Sequence, residues 1–224
     1  MDEHTIYHNL LEAMEQPACP VCRLSRRAVD AYLDHLLYAD VTSVERRAEI
    51  RAAQGFCAEH AQGLLRIGRA LGVAIIYKDV LDNLLRALPV TSQRSGLFGR
   101  PAGDLLPAAA PCPACAYFAT MERVYVEAFV KHLENAEFCR RLEASDGLCL
   151  THFRQAAGEK MDAGRRRFLL DQQAEKWTKL SAELGEYIRK NDYRFRDEGF
   201  GAERDAWQRV LASVSGGRDR KEVE

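Results

Sequence analysis

After Cys22, apolar residues fall at Val29, Tyr32, Leu33, Leu36 and Leu37, the three-and-four spacing of an amphipathic helix. Phe118, Met121, Tyr125, Phe129 and Leu133 lay down a second stripe of the same kind later in the chain. The pattern predicts a shorter returning helix after each, over residues 41–54 and 135–145. A long helix is expected next in each case. The first ends at Leu88, because Pro89 cannot continue it. The second is marked by Leu170, Ala174, Trp177, Leu180, Leu184 and Ile188, and reaches the early 190s. A last short helix over 203–213 carries Trp207, and the tail from 216 on reads as disordered. No stretch sustains the period-two alternation of a half-buried strand. The expected fold class is all-α.

The chain also repeats itself. Cys19-Pro20-Val21-Cys22 returns as Cys112-Pro113-Ala114-Cys115, and Gly55-Phe56-Cys57-Ala58-Glu59-His60 returns as Gly147-Leu148-Cys149-Leu150-Thr151-His152. A single-residue gap reconciles the two copies. Between these anchors Tyr32 falls on Tyr125, and beyond them Gly72 falls on Gly164. Two tandem modules follow, 1–88 and 112–224, with the second extended at its C-terminus. The intervening 89–111 is rich in Pro, Gly and Ser and reads as a linker.

Each copy supplies three cysteines and one histidine, a common ligand set for structural zinc. The CPxC turn puts two sulfurs on one side of a tight bend. The Cys and His of GxCxxH lie three residues apart, on one face of a helical turn. The positive end of a helix favours thiolate over thiol at such positions. If the outward helix runs roughly 17 residues and the return about 14, they cover about 25 Å and 21 Å. On that reckoning each hairpin closes its own site: Cys19/Cys22/Cys57/His60 and Cys112/Cys115/Cys149/His152, each metal stapling a hairpin to a long helix. Four protein ligands leave no open position for water, which favours a structural role over catalysis. Two zinc ions are the leading expectation. An iron–sulfur protein in electron transfer or redox sensing is the alternative, since thiolate clusters accept an occasional imidazole. A thiol–disulfide pair of the thioredoxin kind would need a βαβ setting that the pattern lacks.

Composition removes several other classes. With 32 basic and 33 acidic residues among 224, no global field recruits nucleic acid or anionic lipid. Arg165, Arg166 and Arg167 are the one basic run, and a solvated helix face explains it. No apolar run approaches the roughly 18 residues that a membrane span needs, and the acidic N-terminus is unlike a signal peptide. The expected location is the cytoplasm, where the seven cysteines are thiols or metal ligands before they are disulfides. Cys139 has no counterpart in the first copy and reads as packing. His4 and His8, one turn apart, read as an exposed face, and His35 and His132 do not match across the repeat. No nucleophile–base set, phosphate-binding loop or distinctive carboxylate pair is present, so a scaffold or protein-interaction role, with an unknown protein partner, is expected before an enzyme.

The sequence resembles DUF6062, a bacterial family of uncharacterised proteins. The resemblance rests on YHNLLEA ahead of CPVC, on GFCAEH, on CPAC and GLCLTHF, and on RKNDYRFRDEGFGAERDAW near the C-terminus. It covers nearly the whole chain and implies no established activity.

Overall fold

The computed structural model describes residues 2–88, 108–195 and 197–216. Among them lie ten α-helices and no strand: α1 (Glu3–Met14), α2 (Pro20–Tyr38), α3 (Val44–Ala52), α4 (Ala58–Ile67), α5 (Ala70–Ala87), α6 (Pro113–His132), α7 (Ala136–Ala144), α8 (Leu150–Gly158), α9 (Ala163–Lys190) and α10 (Ala206–Ser215). The chain is all-α, as its periodicity requires. The expected tail lies largely outside the described residues, as does most of the expected linker.

The helix starts follow from local chemistry. Asp2, Ser43, Asn135 and Asp162 each accept a backbone N–H of the first turn of α1, α3, α7 and α9, which removes an orphan donor worth about 1 kcal/mol. Pro20 and Pro113 are the first residues of α2 and α6, where a missing N–H costs nothing and the fixed φ already suits a helix. The proline of each CPxC motif is therefore a helix starter as well as a turn former.

Two elements differ from the sequence expectation. Each long helix after a GxCxxH motif is divided, α4 from α5 at Gly68, which has φ +74°, and α8 from α9 across residues 159–162. The returning helices are also short. Both α3 and α7 have 9 residues, against 19 in α2 and 20 in α6. At 1.5 Å per residue α2 carries the chain about 28 Å, and α3 brings back only about 13 Å of it.

The fold divides into two compact units, one of Met1–Arg26 with Met121–Glu224 and the other of Arg27–Thr120. The divisions fall within α2 and α6, and not at the 89–111 segment where the repeat divides. In the second unit Leu33 and Leu36 of α2, Ile50 of α3, Leu64 of α4 and Ile76 of α5 form the buried core. Burial of each is worth about 1.5–3 kcal/mol. Asp79 of α5 accepts from Arg47 and Arg51 of α3 at 3.1 and 2.6 Å, fixing the register of these two helices. Tyr32 stacks on Tyr117 with centroids 4.7 Å apart.

In the first unit Leu10, Phe129, Phe138, Leu142, Leu148 and Leu169 are fully buried. Phe129 and Phe138 meet edge-on at 5.2 Å, a favoured aromatic geometry. The C-terminal motif ties α10 to this core. Lys190 donates to buried Glu203 at 2.8 Å, and that bond with the Gly201 N–H holds the Glu203 carboxyl down at about 2. Arg209 pairs with Glu183 and Asp205, and the Trp177 indole donates to Ser213 at 2.9 Å.

Candidate metal centres

All eight predicted ligands sit at helix N-termini. Cys19 and Cys112 immediately precede α2 and α6, and Cys22 and Cys115 lie in their first turns. Cys57 and Cys149 are the N-cap residues of α4 and α8, and His60 and His152 lie one turn in. The partial positive charge of a helix start stabilises each thiolate.

The structure draws these residues into two groups whose donor atoms lie within 4.8 Å of one another: Cys19, Cys22, Cys149 and His152; and Cys57, His60, Cys112 and Cys115. The pairing expected from the spacing is thereby corrected. Each CPxC joins the GxCxxH of the other copy, and not its own. The cause is the helix-length mismatch: with α3 covering less than half the length of α2, Cys57 cannot return to Cys19 and Cys22. Each group lies wholly within one compact unit.

In the first cluster the Nδ1 of His152 faces all three sulfurs, at 3.3 Å from Cys19, 3.3 Å from Cys22 and 3.1 Å from Cys149. The Cys22 and Cys149 sulfurs are 3.7 Å apart. In the second, His60 Nδ1 lies 3.1 Å from Cys57, 3.4 Å from Cys115 and 3.8 Å from Cys112, with Cys57 and Cys115 sulfurs 3.7 Å apart. A tetrahedral ion with metal–sulfur bonds of about 2.3 Å needs sulfurs about 3.8 Å apart and a nitrogen about 3.6 Å from each. Both donor sets fit a single ion.

The loops that deliver these ligands are built alike. Gly55 and Gly147 have φ of +103° and +76°, a conformation that an L side chain adopts only under strain. A Cβ on Gly55 would lie 3.2 Å from the Tyr77 ring, and one on Gly147 would lie 2.6 Å from Lys176 Cδ. The Tyr77 hydroxyl also accepts from the Phe56 N–H at 3.4 Å, and Gln173 accepts from Leu148 N–H at 3.3 Å. Asp146 accepts from the Ala18 N–H at 2.8 Å, tying the first CPxC approach to the second GxCxxH turn. At the other cluster Ala110 N–H donates to the Ala52 carbonyl at 2.9 Å.

Burial and the contacts between sulfur and imidazole set the electrostatics of the first cluster. Burial drives the Cys19 thiol up, and hydrogen bonds from Cys19 and Cys22 hold Cys149 well below the ordinary thiol range. Burial opposes charge on His152, yet its contacts with the Cys149 and Cys22 sulfurs outweigh that and push it up to about 10. In the second cluster burial and the neighbouring sulfur of Cys57 raise Cys115 to about 12, whereas backbone N–H groups at Cys57 and Cys115 lower Cys112 against the effect of its burial.

Glu122 is a partner of the candidate ligand His152 that the sequence reading missed. Its Oε1 lies 2.8 Å from His152 Nε2, so the imidazole can donate there while Nδ1 faces the sulfurs. Such a carboxylate fixes the tautomer and raises ligand basicity. In the CPxC register Glu122 falls on Val29 of the first copy, so comparison of the copies gives no hint of it. Glu122→Gln is expected to weaken metal binding at this cluster by about 10–100-fold, read by competition with a zinc-binding dye, and to leave the other cluster unchanged.

The remaining candidates lie outside both clusters. Cys139 donates to the Leu133 carbonyl at 3.3 Å, and burial raises its thiol. His4 and His8 approach to 3.3 Å on an exposed face, His35 pairs with Asp40, and His132 packs on the Tyr7 ring. Arg165 and Arg167 bond to Asp162 and Asp171, and Arg166 caps carbonyls of Ala157 and Glu159. A cavity of about 250 Å³ beside the first cluster is lined by Cys19, Asp146, Cys149, Lys176 and Arg209 among others. Three of its charged groups are bonded within the fold: Lys176 donates to the Glu143 carbonyl, and Asp146 and Arg209 hold the partners given above.

With both centres defined, comparison with known proteins gives a consistent result. The family of unknown function DUF6062 matches residues 1–221. The chain belongs to DUF6062. A relative described as an uncharacterized 23.9 kDa protein in the xynA 3' region, from Caldicellulosiruptor sp. (strain Rt8B.4), is 27% identical over 214 residues, covering 92% of this chain and 99% of its own length. No solved structure matches this DUF6062 chain. No helix among its described residues is long and apolar enough to cross a membrane.

Proposed function

We propose that this protein binds two zinc ions as structural centres and works as a zinc-stabilised helical scaffold for a protein partner. The observation that carries the reading is the convergence of three sulfurs and one imidazole nitrogen within 4.8 Å, twice. Soft thiolates with one imidazole suit zinc better than the hard cations. Donors this close favour one ion over an iron–sulfur cluster, whose ligands bind different irons and stand further apart. Four protein ligands fill the tetrahedron, and each is placed by a helix start, so the ion joins elements remote in sequence and has no position left to activate water.

A scaffold role is supported by what surrounds the sites. In the cavity beside the first cluster, Asp146, Lys176 and Arg209 are already committed to the fold. Apolar side chains are exposed at helical spacing on α5 (Leu81 and Leu85) and on α10 (Trp207, Leu211 and Val214), the kind of face that a partner helix covers. Anaerobic purification followed by metal analysis and an absorbance spectrum tests the metal assignment. The expected result is two zinc per chain and no visible band. A brown protein with stoichiometric iron and sulfide would overturn it in favour of redox chemistry.

A further inference from the structure

The two clusters share a ligand set and differ in exposure, and we propose that the Cys57/His60/Cys112/Cys115 centre is peroxide-responsive, releasing its ion on oxidation while the other centre keeps its own. This rests on the zinc reading above.

In the first cluster all four ligands are buried, with Cys149 only 1% exposed and Cys19 3%. Glu122 holds the far side of His152. The end of α10 closes over the sulfurs, since a Cβ on Gly216 would lie 3.7 Å from Cys22 Sγ and 3.8 Å from Cys149 Sγ. In the second cluster none of the four ligands is buried, and Cys115 is exposed. Among the described residues no carboxylate is bonded to His60 as Glu122 is to His152. The sulfur pairs themselves are matched: Cys22–Cys149 and Cys57–Cys115 are both 3.7 Å apart. Access, and not sulfur geometry, separates the two centres, and access governs which thiolate meets an oxidant.

The chemistry closes with hydrogen peroxide as the oxidant. The Cys115 sulfur attacks one peroxide oxygen. A sulfur–oxygen bond forms, the oxygen–oxygen bond breaks, and the departing hydroxide takes a solvent proton to become water. Cys115 is then a sulfenic acid. The Cys57 sulfur attacks the Cys115 sulfur, the disulfide forms, and the sulfur–oxygen bond breaks to release a second hydroxide, again protonated to water. Two thiolates lose two electrons in all, and one peroxide becomes two waters. His60 and Cys112 alone cannot retain the ion against solvent, so the disulfide expels it.

The experiment uses the full chain loaded with zinc and treated with stoichiometric hydrogen peroxide. Released zinc is followed with a metallochromic dye, and each cysteine is mapped by differential alkylation and peptide mass spectrometry. One ion is expected to leave at least ~10-fold faster than the other, as befits an exposed against a buried thiolate. Cys57 and Cys115 should become disulfide-linked while Cys19, Cys22 and Cys149 remain reduced. A thiol reductant with added zinc should restore the starting spectrum of alkylation. Release of both ions at one rate, first oxidation at Cys19, Cys22 or Cys149, or no release at all would overturn the proposal. A protein that holds no zinc before peroxide is added would instead overturn the zinc reading itself.

Discussion

Replacing Cys149 with serine is expected to remove one of two metal ions and to lower the thermal transition by about 6–20 °C, the shift that a loss of about 3–5 kcal/mol makes in a chain of this size. The size of the effect follows from burial. Cys149 is 1% exposed and stands at the centre of its cluster, 3.1 Å from His152 Nδ1 and 3.7 Å from Cys22. Serine is a poor zinc ligand at neutral pH, and the variant leaves the buried Cys19 and Cys22 without a cation to balance them. Uncompensated charge in such a place costs several kcal/mol. The same substitution at exposed Cys115 should cost less, because solvent can take up the lost ligand position. Paired thermal melts with metal quantification check both. A Cys149→Ser protein that keeps two ions and full stability would show that Cys149 is not a ligand.

Stripping both ions with a strong chelator should have a larger effect than any single substitution. Loss of one ion costs about 3–5 kcal/mol by the reckoning above, so loss of both costs about 6–10 kcal/mol. Whole folds are stable by only about 5–15 kcal/mol. Each compact unit contains one complete cluster, so both are loosened together once all metal is lost. The expected result is a loss of cooperative melting and of protected amides around α2, α4, α6 and α8, reversed by added zinc. An unchanged melt in chelator would mean that the helices hold these loops without metal.

Much of this was legible in the sequence, and the unread part has a specific cause. The apolar stripe from Val29 to Leu37 places α2, and the duplicated motifs identify all eight donors. Both are local signals, written in side-chain spacing and residue type. The pairing of the donors depends on how far each helix travels. That turns on where α3 and α7 begin and end, and helix ends are the least certain feature of a hydrophobic pattern. Reading 14 residues into a return helix that has 9 was enough to assign Cys57 to the wrong partner. Glu122 was invisible for another reason. It supports one copy alone, so a search for what the copies share passes over it. Asp146 and Gln173 likewise act through contacts with Ala18 and Leu148, which no local pattern announces.

The cross-copy pairing is the central claim, and metal counts in two double variants test it most directly. Cys57→Ser with Cys115→Ser strikes one cluster in the structure, whereas Cys22→Ser with Cys57→Ser strikes both. The structure therefore predicts that the first protein retains one zinc and the second retains none. The reverse outcome, no zinc in the first and one in the second, would restore the sequential pairing and contradict the structure.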